Sequence, residues 1–183
     1  MNWSKLSDPE KWILTGIPVL FLAGSLLHFL YDLSGENPLA GLFSPVNESI
    51  WEHTKLVVLP VMLWWTLYYF FRKDAKIIEK DRWFEGALGA LVTAVLSIPA
   101  LFYLYTGALG RDSLWADILI LLLSLAFGQL LGLHLYRYGK GMRAETVLVI
   151  LAGILVLFAV FTFLPPKLPL FQDPVSGGYG KKI

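Results

Sequence analysis

Five long apolar stretches, divided by short polar connections, leave this chain few ways to fold. An α-helix rises 1.5 Å per residue, so crossing a hydrocarbon core about 30 Å thick takes about 20 residues. Segments 11–31, 56–71, 84–106, 114–136 and 146–163 meet or approach that length. The second is short when counted from Leu56, and it gains length if its helix starts near Asn47. Pro45 disfavours helix in the residue before it, and Asn47 or Ser44 can accept hydrogen bonds from the orphan amides of a helix start.

A soluble domain of 183 residues has too little interior to hide a chain that is 56% hydrophobic and only 16% charged. The apolar run at 13–30 exceeds the core of a secretory leader and is expected to be a retained span. The predicted fold is all-α: an integral membrane bundle of five transmembrane helices in a single domain over 1–183. An external loop at 32–47 and a Pro/Gly-rich external cap at 164–183 complete it. The many prolines of 165–174 cannot continue a helix, and the apolar residues among them favour a folded cap over a free tail.

Alternating the connections between the two faces places Lys5, Lys11, Arg72, Lys73, Lys76, Lys80, Arg82, Arg137, Lys140 and Arg143 on one side. Lys55, Arg111, Lys167, Lys181 and Lys182 fall on the other. Cytoplasmic connections carry the excess of Lys and Arg, so the expected placement is a cell membrane, with the N-terminus cytoplasmic and the C-terminus external. Pro18, Pro60 and Pro99 interrupt the spans as potential kinks, while Gly86, Gly89, Gly128 and Gly132 allow close helix approach. Trp12, Trp51, Trp64, Trp65, Trp83 and Trp115 lie near the expected boundaries, where indoles anchor membrane proteins.

The chemistry-bearing residues gather around the first external connection. Ser25, His28 and Asp32 are spaced to share one face of a continuous helix. Asn47-Glu48-Ser49-Ile50-Trp51-Glu52-His53-Thr54-Lys55 follows, with Glu48, Glu52 and Lys55 on one helical stripe and Ser49 and His53 on the next. Two histidines, a carboxylate and an open position suffice for zinc or another divalent cation. The expected ligands are His28, His53 and either Asp32 or Glu52. Glu48 or Glu52 would accept a proton, and Lys55 or Arg111 would stabilise developing negative charge. Asp173 and Tyr179 can reach the cluster if the cap folds back.

Two other readings use the same residues: a network of hydrogen bonds and ion pairs sealing helix ends, or a proton, ion or solute path. His134, near the end of the fourth span, is expected at the opposite surface, and Gln129 with Ser124 can bond across helices or line a path. With no Cys, disulfides, thiol nucleophiles, thiolate metal sites and iron–sulfur centres are excluded. The basic and acidic residues of 73–82 alternate in a short connection, which points to lipid headgroups and not to nucleic acid. The partners expected are membrane lipids and a lipid-linked or small-molecule substrate.

His28-Phe29-Leu30-Tyr31-Asp32, Ser44-Pro45-Val46-Asn47-Glu48-Ser49-Ile50-Trp51-Glu52-His53 and the run from Pro165-Pro166 to Gly180 together resemble an uncharacterised family of small bacterial and archaeal multi-pass membrane proteins. The resemblance covers the whole chain. It implies that these segments are family hallmarks, consistent with an external polar site, and it supplies no reaction. A looser similarity to membrane hydrolases that gather His and Asp at helix ends lacks a later His-x3-His pair.

Overall fold

The computed structural model describes residues 3–72 and 77–181. Lys73, Lys76 and Lys182, counted above for topology, lie outside them. Seven α-helices occur among the described residues: α1 (Asp8–Leu27), α2 (Leu30–Leu33), α3 (Pro38–Gly41), α4 (Ile50–Arg72), α5 (Lys80–Leu109), α6 (Leu114–Tyr138) and α7 (Ala144–Phe163). The five long ones are sufficiently long and apolar to cross a membrane. α1, α4 and α5 continue through Pro18, Pro60 and Pro99.

α1 begins with a capping box, in which the Glu10 carboxylate accepts from the Ser7 amide at 2.7 Å. It runs antiparallel to α4: Trp12 stacks on Trp64 near one end, and Gly24 meets the Leu56 carbonyl near the other. A Cβ at Gly24 would stand 2.7 Å from that oxygen, so this helix pair depends on the missing side chain. The α5–α6 seam is built likewise, with Gly128 against the Ala90 carbonyl and Gly132 against that of Gly86.

Trp65 and Trp83 correct the expectation of interfacial anchoring. Both are buried in the bundle, because each indole N–H finds an acceptor there: Trp65 donates to Gln129 Oε1 at 3.0 Å, and Trp83 to the Trp65 carbonyl at 2.9 Å. Trp115, by contrast, is exposed. His134 stacks near Tyr138 in the last turns of α6.

The two ends of the bundle differ in character. At the N-terminal end Arg137 pairs with Glu10, Arg72 with Asp8 at 3.2 Å, and Lys80 with Glu145 at 2.7 Å. The opposite end carries the α1–α4 connection and the C-terminal segment. That segment folds back as a cap through a short 3-10 turn at Pro169–Phe171 and an isolated bridge between Gln172 and Tyr179. Trp51 holds it down, stacking on Phe158 of α7 at 4.5 Å and on Phe171 of the cap at 4.8 Å. The Lys181 amide donates to the Thr162 carbonyl, and Asn47 Nδ2 to that of Gly180.

Candidate metal centre

α1 does not continue through 28–32 as its sequence periodicity suggested. The Phe29 amide bonds to the carbonyl three residues back, at Leu26, and this tighter turn separates α1 from α2. His28 is left at the helix terminus. Asp32 belongs to α2 and lines the neighbouring groove, outside the three-residue cluster. Ser25 remains in α1 and donates to the Phe21 carbonyl.

Across the seam, α4 starts at Ile50, three residues later than Asn47. Asn47 Oδ1 accepts from the Ser49 amide, and Ser49 Oγ accepts from that of Glu52. This entry fixes His53 one turn into α4, where its Nδ1 lies 3.0 Å from the Ser49 carbonyl. A carbonyl can only accept, so Nδ1 carries a proton, and Nε2 is the ring atom that faces His28 and Glu48, donating to the carboxylate when protonated and offering a lone pair when not.

His53 Nε2 stands 3.1 Å from His28 Nε2 and 3.4 Å from Glu48 Oε2. One ligand atom from each of His28, Glu48 and His53 falls within 4.8 Å of the others. Nitrogen and oxygen ligands about 2.0–2.1 Å from a tetrahedral zinc stand about 3.3–3.4 Å apart, so the His53 separations match the edges of such a shell. The hydrogen bond with His53 holds the Glu48 carboxyl below its ordinary range, and burial together with the nearby His53 holds His28 below that of a free imidazole. These directions favour carboxylate at Glu48 and neutral imidazole at His28, and the proton that His53 donates to Glu48 must leave before its Nε2 can bind a cation.

The third residue of the cluster is therefore Glu48, not Asp32 or Glu52. Glu52 and Lys55 are turned inward, their side chains 2% exposed, in an ion pair of 2.6 Å. Glu52 also accepts from the Val46 amide at 3.0 Å, and Lys55 donates to the Gly41 carbonyl at 2.7 Å. Thus engaged, they do not fit the roles of proton acceptor and anion stabiliser; they fasten the α1–α4 connection to α4. Arg111 is exposed in the α5–α6 turn and makes no hydrogen bond or ion pair among the described residues.

The cap supports the centre from behind. The Asp173 carboxylate accepts from the Ser176 hydroxyl and from the Val175 and Ser176 amides of its own turn, and it lies near the Glu48 backbone. Burial opposes its ionisation, but these hydrogen bonds prevail and hold it below the ordinary carboxylate range. Tyr179 lies on the other side of Asn47, lining a groove with Tyr31, Glu36 and Lys181. Tyr31, Glu36 and Lys181 were not singled out in the sequence, since only the folded cap brings residue 181 to residue 36.

Five apolar helices carrying a histidine–carboxylate cluster at one rim define a multi-pass membrane protein. The chain belongs to a family of unknown function, DUF6512, which it matches over residues 1–181. No curated protein and no solved structure matches it.

Proposed function

We propose that His28, Glu48 and His53 bind a zinc-like divalent cation, and that the protein is a metal-dependent hydrolase of a membrane-accessible ester, amide or phosphoester. The observation that carries this reading is the approach of His53 Nε2 to 3.1 Å from His28 Nε2 and 3.4 Å from Glu48 Oε2, close to two edges of a tetrahedral shell. Structural zinc sites use four protein ligands, whereas hydrolytic ones use three and leave a position for water. Three ligands gather here, and Glu48 is 52% exposed, so the remaining position opens to solvent.

Such a cation lowers the pKa of bound water and polarises the carbonyl or phosphoryl oxygen under attack. Ser49 orients the His53 ring through its carbonyl, and the Asp173 turn of the cap lies beside the Glu48 backbone. Location favours hydrolysis over transport. Solute sites of transporters lie near the bilayer midplane, but this cluster sits at a helix end, with Gly24 packed on Leu56 and Leu121 beneath it. Phe29 and Leu33, both exposed beside His28, offer an apolar approach from the lipid.

The excess of basic residues at the opposite end of the chain's alternation supports a cytoplasmic N-terminus and an external centre in the cell membrane. The test is hydrolysis of a panel of lipid esters, amides and phosphoesters by the full chain in nanodiscs. Activity on one class should vanish with chelator and return with zinc. Chelator-resistant turnover, or no turnover of any class by the zinc-loaded protein, would defeat the proposal.

A further inference from the structure

Beside the metal centre, on the far side of Asn47, lies an open groove of about 240 Å³ that the reading above does not use. Its lining includes Tyr31, Asp32, Glu36, Asp173, Tyr179 and Lys181. Three acidic residues face one basic residue there, so the groove is net negative, and two phenol rings contribute to its walls. A site with room for several waters, at about 30 Å³ each, suits a headgroup-sized ligand better than a bare ion.

The chain itself displays what this wall accepts. Lys181 Nζ lies 5.5 Å from the centroid of the Tyr31 ring and donates to the Glu36 carbonyl at 2.9 Å. That is an ammonium held by an aromatic face and an oxygen acceptor. The turn that presents this acceptor has Gly35 at φ 69° and Glu36 at φ 59°, the latter a left-handed conformation that non-glycine residues rarely adopt. Lys181 approaches from the cap, anchored by its backbone bond to Thr162.

We infer that this groove is a binding site for a small ammonium group, whose place the tethered Lys181 side chain partly fills. Asn47 and Asp32 line the groove, while Glu48 and His28, on the same two chain segments, belong to the metal cluster. Resting on the hydrolase reading, this makes the substrate an amine-bearing molecule with its scissile bond at the cation. The binding site itself stands without that reading.

The full chain in phosphatidylglycerol nanodiscs, titrated with ethanolamine and with 1-propanol as its uncharged counterpart, tests the inference by saturation-transfer NMR. Ethanolamine should bind in preference to 1-propanol. Lys181→Ala should strengthen ethanolamine binding by about fivefold, and Asp32→Asn combined with Glu36→Gln should weaken it by about as much. Nanodiscs containing phosphatidylethanolamine separate the two sources of the amine: a lipid headgroup would displace free ethanolamine, whereas a soluble amine would keep its signal. Equal binding of the two probes, or no ethanolamine binding by Lys181→Ala, would overturn the inference. Zinc content measured on the same samples reads the metal centre separately.

Discussion

His28 and His53 meet across the α1–α4 seam with their Nε2 atoms 3.1 Å apart, although 25 residues separate them in the chain. Ser49 keeps a proton on His53 Nδ1, so Nε2 is the atom that meets both His28 and Glu48. Two imidazole nitrogens this close either share a proton, with His53 donating to Glu48 when both of its nitrogens are protonated, or bind a common cation. The nearby Glu48 carboxylate favours the cation, because it supplies the negative charge that a second neutral imidazole does not.

Asp173→Asn should weaken zinc binding by roughly tenfold to a hundredfold while leaving the fold intact, since an outer-shell carboxylate beside Glu48 loses its charge. Competition with a chromogenic chelator measures this. An unchanged affinity would show that the cap does not organise the centre.

The buried pair of Glu52 and Lys55 predicts strong non-additivity. Lys55→Met alone leaves a buried carboxylate without its partner and should cost about 3–5 kcal/mol; adding Glu52→Gln should recover most of that loss. Unfolding in detergent, followed by size-exclusion fluorescence, tests the cycle. Additive losses would mean that the two side chains act independently.

Gly128→Val should destabilise the bundle by at least about 1–3 kcal/mol, because even its Cβ would stand 2.5 Å from the Ala90 carbonyl. Gly153→Ala, where an added Cβ meets nothing within 4 Å, should be tolerated. Thermal midpoints of the two variants compare the sites; equal losses would contradict the α5–α6 packing described above.

Zinc retention should be steady at neutral pH and fall in acid, because protons compete with the cation for both imidazoles and for the Glu48 carboxylate. Chelator-monitored release between about pH 8 and about pH 4 measures it, and retention unchanged at about pH 4, well below the ordinary imidazole value of about 6.5, would contradict the assignment.

The bundle was legible in the sequence because span length and apolar content report directly on solvation by lipid. The cluster was legible as a neighbourhood: His28, Glu48 and His53 were all named, but Glu48 was cast as a proton acceptor. Periodicity misled at two points. Asp32 falls in the separate short helix α2 and lines the groove among residues of the cap instead of joining the cluster, and the inward turn of Glu52 toward Lys55 depends on acceptors at Gly41 and donors at Val46. Those are tertiary contacts that spacing along one helix cannot express. The Tyr31–Lys181 contact was hidden likewise, being created by the cap.

Metal analysis of the purified full chain tests the centre most directly. Wild type should carry about one zinc-like ion per chain, and His28→Ala and His53→Ala should each lose it while eluting as folded protein. A wild type that stays metal-free after incubation with zinc, or histidine variants that hold as much metal as wild type, would contradict the account.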